Sequence, residues 1–225
     1  MLKAVLFDMD GVIVNTEPLH HKAYHLMFRD VNINVSESLY ASFTGQATRA
    51  ICEELVEHFN LPLGPQTLVD LKRDHFKYLF ENDDELDLLP GVLDLIQDYH
   101  NNGLTLVLAS SASMDNINNI FDRFHLNPYF VAKLSGADLK ASKPHPEIFE
   151  KAAMASGYKP HECIVIEDST NGIRAAKDAG IFCVGYDSLH SHDQDYGLAD
   201  LVVSNFKDIA YAKIAQHFNA MVPQK

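Results

Sequence analysis

The chain has 225 residues, 47% of them apolar and 22% charged, which is enough to bury a full core as one domain or one domain carrying an insertion. Its 31 acids outnumber 18 lysines and arginines, for a formal charge of -13. Such a surface repels nucleic acid and anionic membranes and excludes both as expected partners; it also repels a phosphorylated substrate unless a metal ion and a few placed cations reverse the sign locally.

The chain opens with an apolar run, Leu2 to Phe7, that stops at Asp8-Met9-Asp10-Gly11. A short apolar run bounded by a turn signal reads as a buried strand. In open α/β sheets ligands bind beyond the carboxyl ends of strands, which puts Asp8 at a reachable tip. Gly11 lets the backbone turn sharply just behind it. Taken alone, the two acids read equally well as a solvated Asp-Gly turn. Helical stripes follow: Leu19, Ala23, Leu26 and Met27 within Thr16 to Arg29; Ile51, Leu55, Val56 and Phe59 within Thr48 to Phe59; Leu68, Leu71, Leu79 and Phe80 within Thr67 to Phe80. No convincing strand stands between Val14 and Leu88.

From Pro90-Gly91 onward strands and helices alternate. The expected strands are Leu104 to Ala109, Val131 to Leu134, Cys163 to Ile166, Ile181 to Val184 and a short edge strand Leu201 to Val203. The expected helices between them are Gly91 to Asn102, one carrying Ile117, Ile120, Phe121 and Phe124, then Glu147 to Ser156, Ser169 to Ala179, and a terminal helix from about Lys207 to Phe218. This alternation predicts an α/β fold, a doubly wound parallel sheet covered on both faces. The first strand joins that sheet. Residues 1–13 and 89–225 then form the core, and 14–88 a small all-helical domain inserted behind strand one, with hinges near each crossing. Cys52, Cys163 and Cys183 lie far apart in apolar contexts, without metal-ligand spacing, and read as buried free thiols of a reducing compartment. With no signal peptide or membrane span in the sequence, a cytoplasmic, monomeric protein is expected.

Four polar marks follow four of the strands: Asp8-x-Asp10, Ser110-Ser111, Lys143 and Glu167-Asp168. Each is the first polar group past an apolar run, so all should converge on one rim of the sheet. The set suits phosphoryl transfer. Asp8, Asp168 and Glu167, with backbone carbonyl help, suit a hard cation such as Mg²⁺. Asp8 can attack phosphorus as nucleophile. Asp10 can protonate the leaving oxygen and later accept a proton. The Ser110 hydroxyl and the Lys143 ammonium can hold the non-bridging oxygens.

These residues resemble the motifs of the haloacid dehalogenase superfamily. Phe7-Asp8-Met9-Asp10-Gly11-Val12 looks like the first, Ala109-Ser110 the second, Ser142-Lys143-Pro144 the third and Ile166-Glu167-Asp168-Ser169 the fourth. The helical insertion is similar to the cap of the β-phosphoglucomutase and sugar-phosphate phosphatase branch. The resemblance implies Mg²⁺ held by the side chains of Asp8 and Asp168 and by the carbonyl of Asp10. An acid at Asp10 weighs against a true dehalogenase, and the absence of lysine from Gly45 to Ile51 weighs against a phosphonate-cleaving member.

A phosphatase admits water to the phosphorylated aspartate, whereas a mutase presents a sugar hydroxyl. His20, in Thr-x-x-x-His, and Lys72, four before Phe76, match the mutase pattern, and Gly45 begins a loop similar to its substrate loop. The mutase has arginine three residues after that glycine. Here Thr48 stands there and Arg49 one later, a turn of about 100° on a helix, and Gly45-Gln46-Ala47-Thr48 resembles the loop of phosphatases of the branch. The plainer readings are that His20-His21 decorate a polar helix face, that Lys72-Arg73 are solvated or salt-bridged, and that His145 shapes the start of its helix. The sequence therefore points to a Mg²⁺-dependent phosphatase of a small phosphorylated metabolite, with a sugar phosphate as the expected substrate class. β-Phosphoglucomutase is the alternative, and a non-catalytic binding protein a third reading.

Overall fold

The structure is a computed structural model that describes residues 1–43, 46, 48–188 and 193–221. It divides into two compact units, residues 1–15 with 87–225, and residues 16–86. The sequence reading had put Val14 and Leu88 in the insertion. Val14 instead bridges both Asp10 and Leu88, and Ile13 accepts a backbone hydrogen bond from Leu89, so both crossings are knitted into the first unit.

The larger unit is built on six parallel strands: β1 (Ala4–Phe7), β2 (Thr105–Ser110), β3 (Phe130–Ser135), β4 (Cys163–Glu167), β5 (Phe182–Tyr186) and β6 (Leu201–Val203), in the order β3-β2-β1-β4-β5-β6. Every residue of β1, β4 and β5 is buried, which is why these strands read as continuous apolar runs rather than alternating ones. Ala4 and Leu6 face one layer with Val107, Cys163 and Val165. There they meet Ile148, Phe149 and Ala152 of helix α7 (Glu147–Ser156) and Ile173 and Ala176 of α8 (Thr170–Asp178). On the other face Phe7 packs against Tyr99 of α5 (Val92–Asn101), with ring centroids 6.2 Å apart, and against Phe130, which in turn meets Phe121 of α6 (Met114–Arg123). The chain is thus doubly wound about β1, and the direction of winding reverses between β1 and β4.

The second unit contains α1 (Glu17–Asp30), α2 (Glu37–Ala41), α3 (Thr48–His58) and α4 (Pro65–Asn82). Tyr24, Met27 and Phe28 of α1 share a core with Phe43, Ile51, Cys52, Leu55, Leu68 and Val69. The five-residue α2 has no legible apolar stripe and was not anticipated. Its start is set locally by Ser36, whose hydroxyl accepts from Leu39 N at 3.2 Å. The terminal helix also departs from expectation. Residues 206–209 form a 3₁₀ turn, Ala210 is extended at φ -51° and ψ 149°, and α9 (Tyr211–Met221) begins afresh. The break is stabilised by Asp98, whose carboxylate accepts from Tyr211 N at 2.7 Å. Among the described residues no helix is long and apolar enough to cross a membrane.

The same corner gives a test of the packing. The buried Tyr99 hydroxyl donates to the carbonyl of Ile209 at 2.6 Å. Tyr99→Phe keeps the ring but leaves that carbonyl without its donor. It should lower the unfolding free energy of the larger unit by about 1–2 kcal/mol, measured by urea titration.

Candidate active site

The sheet register decides what meets at its carboxyl edge. Phe7 lies opposite Leu108 on one side and Ile166 on the other, and Asp8 N donates to the carbonyl of Ile166 at 3.0 Å. Asp8, the end of β2 at Ser110 and the end of β4 at Glu167 therefore stand together at the point where the winding reverses, the place where such sheets bind ligands.

Lys143, from the loop between β3 and α7, reaches into this place. Its Nζ donates to Asp8 Oδ1 at 2.5 Å, to Glu167 Oε1 at 2.6 Å and to the carbonyl of Ala109 at 3.1 Å. It also lies 4.9 Å from the ring centroid of Phe149. All three donors of the ammonium thus have acceptors in a site nearly closed to water. Burial alone would pull the Lys143 ammonium down, but the charges of Asp8 and Glu167 outweigh it and hold its acidity constant above the ordinary lysine value. Burial raises Asp8 well above the ordinary carboxylate range. Lys143 opposes that rise, while the negative charges of Glu167 and Asp168 add to it.

Asp8, Glu167 and Asp168 form a cluster with carboxylate oxygens within 4.8 Å of one another. Two glycines make room for it. Gly11 has φ +81°, and a Cβ there would fall 1.9 Å from Asp168 Oδ2. A Cβ on Gly172 would fall 1.7 Å from Glu167 Oε1. Glu167 is further fixed by Ser169, whose N and Oγ donate to Oε2 at 2.8 and 2.9 Å, while the same hydroxyl caps α8 by accepting from Gly172 N. Asp10 sits two residues beyond Asp8, half-buried in the turn where Gly11 N donates to the carbonyl of Val14. The buried Ser110 hydroxyl accepts from Ala112 N at 3.0 Å, and Ser111 is exposed.

The remaining candidates belong to the helical unit. Lys72 is buried, against the expectation of a solvated or salt-bridged side chain. Its Nζ lies 2.6 Å from His20 Nδ1 and about 5 Å from the ring centroids of Tyr24 and Phe76, and His20 stacks on Phe76 with centroids 4.3 Å apart. Burial, reinforced by the Lys72 charge, pushes the His20 imidazole well below its ordinary value. His20, Lys72 and Thr48 line a cavity of about 180 Å³ together with Glu17, Tyr40 and Gln46. Arg49 does not line it. Its guanidinium instead meets Glu53 at 3.0 Å and Gln66 at 3.1 Å. Gly45 lies outside the described residues. His145 accepts from Glu147 N at the head of α7.

Sequence reasoning missed Gly172 and the Ser169 clamp, and in the helical unit Tyr40 and Gln46. The first two were within reach. A serine placed to cap a helix two residues after an acid, with glycine three further on, marks a carboxylate packed against a helix start.

The chain is similar to known proteins. A family model described as haloacid dehalogenase-like hydrolase matches residues 2–180. The chain belongs to this family. It is 30% identical to the phosphorylated carbohydrates phosphatase of Thermotoga maritima, covering 84% of this chain and 87% of that one. It is also 30% identical to the β-phosphoglucomutase of Bacillus subtilis, covering 92% of each. The crystal structure of CbbY from Rhodobacter sphaeroides in complex with phosphate superposes with a TM-score of 0.86 at 25% identity, covering 96% of this chain and all of that one. As a family hydrolase, the protein should be sensitive to how Glu167 is seated. In Gly172→Ala the new methyl displaces Glu167, yet alanine favours the helix by about 1 kcal/mol. Turnover should fall about 100-fold and the melting temperature should fall too, because the disturbed Lys143–Glu167 contact outweighs the helix gain, read by steady-state kinetics and calorimetry on the same sample.

Proposed function

We propose that the protein is a Mg²⁺-dependent phosphatase of a small phosphorylated metabolite, with a sugar phosphate as the substrate class. The observation that carries the reading is the buried Asp8-Lys143-Glu167 clamp at the strand ends, with Asp168 beside it. An all-oxygen set of three acids fits Mg²⁺ by its chemistry, and the raised acidity constant of Asp8 marks a place where added positive charge is favourable. Asp8 and Asp168 would hold the ion with the carbonyl of Asp10, and Glu167 would act through water. When bound, the ion neutralises phosphate charge and so favours approach of an anionic carboxylate.

The protein's own groups supply the rest. Asp8 attacks phosphorus, the bond to the leaving oxygen breaks, and Asp10 donates its proton to that oxygen. Asp10 then takes a proton from water as the phosphorylated aspartate is hydrolysed to free phosphate and Asp8. Ser110 and Lys143 hold the non-bridging oxygens, Lys143 by exchanging its hydrogen bond to Asp8 for one to the phosphate as Asp8 attacks, and Ser111 is at hand on the same loop. The cavity of the helical unit, with His20, Thr48, Lys72 and Gln46, offers hydroxyl, amide and cationic groups suited to a polyhydroxylated molecule. The T. maritima relative named for phosphorylated carbohydrates supports the same substrate class.

A second reading, β-phosphoglucomutase, is favoured by one observation, the buried His20-Lys72 pair, and by the B. subtilis relative of that name. The pairing of Arg49 with Glu53 and Gln66 weighs against it, since it engages a cation that could grip a second phosphate.

Incubation with β-glucose 1-phosphate, Mg²⁺ and catalytic glucose 1,6-bisphosphate separates the two when glucose 6-phosphate and free phosphate are followed together. Free phosphate is the expected product; glucose 6-phosphate without it would overturn the phosphatase reading in favour of the mutase. Asp8→Asn should abolish turnover, with no phosphorylated protein trapped on acid quench. Asp10→Asn should slow turnover about 100-fold or more while Mg²⁺ affinity, measured by calorimetry, stays at the wild-type value. Loss of that affinity would contradict the role given to Asp10.

A further inference from the structure

Helix α1 carries two more histidines that the reaction does not use. His21 and His25 are spaced i, i+4 on one face, and their Nε2 atoms lie 3.1 Å apart, with ring centroids 4.2 Å apart and planes tilted by 39°. The sequence reading treated His21 only as decoration of a polar face. A hydrogen bond between two imidazoles on a surface contributes little against water, so it does not by itself explain the pairing. Packing does. Tyr40 of α2 meets His21 edge-on with centroids 4.8 Å apart and lies 5.5 Å from His25, and Phe28, itself in contact with Tyr40, also lies 5.5 Å from His25. Both rings are held on one helix with their outer nitrogens 3.1 Å apart.

We propose that His21 and His25 form a bidentate site for a late first-row divalent metal ion, of the class Zn²⁺, Cu²⁺ or Ni²⁺. With metal–nitrogen bonds of about 2.05 Å, a nitrogen separation of 3.1 Å closes an angle of about 100° at the metal. That value suits neighbouring positions of a tetrahedral or square arrangement, the other positions being taken by water. Two histidines at this spacing on one helix face are a known way of presenting paired imidazoles to zinc. The donor type selects against Mg²⁺, which prefers oxygen, so the site is chemically distinct from the acid cluster at the strand ends. Burial, with the charges of Glu17 one turn before His21 and of Glu37 at the start of α2, raises the acidity constant of Tyr40, the residue against which the two rings pack, so carboxylates stand near the pair alongside Lys22. The pair stands on α1 and packs on α2, so a bound ion stabilises the helical unit by linkage. Tyr40 also lines the cavity that holds His20 and Lys72, which places the ion one ring away from that cavity.

The full chain is titrated with Zn²⁺ by calorimetry in excess Mg²⁺, which keeps the acid cluster occupied, alongside His21→Gln and His25→Gln. Each variant should bind Zn²⁺ at least about tenfold more weakly, since loss of either imidazole removes the chelate. The rise in melting temperature produced by Zn²⁺ in the wild type should shrink equally in both. His21 is exposed, so His21→Gln folds as the wild type does and keeps its Mg²⁺-supported turnover. Identical Zn²⁺ titrations for the wild type and both variants would overturn the proposal.

Discussion

The Lys143 ammonium, held between Asp8 and Glu167 under the carbonyl of Ala109, is the interaction on which the site rests. It draws on four separate parts of the chain and can form only if the sheet register sets three strand ends level. Removing either partner would leave a buried charge unanswered, a fault that costs several kcal/mol in proteins generally. The clamp therefore ties site geometry to fold stability, and it leaves little space at neighbouring positions. Gly11 and Gly172 are bare because the carboxylates of Asp168 and Glu167 occupy the space that side chains would fill.

The same clamp sets the electrostatics. The overall charge of -13 opposes a phosphate substrate, yet the site does not rely on a basic surface. It uses one buried cation whose charge is secured by two acids. Asp8 is left with an acidity constant raised by burial and by its acidic neighbours. A hard cation at this point would relieve the strain of gathered negative charge and prepare Asp8 for an anionic electrophile. Fold and chemistry thus depend on one set of contacts.

The helical unit solves a different problem. Its polar pair, His20 and Lys72, is buried among Tyr24 and Phe76 rather than at a strand edge. Two aromatic faces and the His20 imidazole, whose acidity constant is lowered by burial and by the Lys72 charge, lie around the ammonium there. The result is a cavity with directional hydrogen-bonding groups, in contrast to the concentrated charge of the acid cluster.

Much of this was legible in the chain itself. Continuous apolar runs of four to six residues ending in acid, serine or acid-acid pairs determined a parallel sheet and named Asp8, Ser110 and Glu167-Asp168, because period and polarity change together at strand ends. Contacts set by register and side-chain rotation were not legible. The Ser169 clamp on Glu167, the burial of Lys72 and the pairing of Arg49 with Glu53 and Gln66 depend on which face of a helix meets which neighbour. The five-residue α2 and the break at Ala210 are too short or too local to leave a periodic trace. The sequence by itself determined the order of elements and the chemistry of the strand tips, since those follow from local pattern. Only the tertiary structure decided which cations are buried, which glycines are obligatory and how the two imidazoles of α1 converge, since those depend on distances between residues remote in sequence or on rotamers fixed by packing.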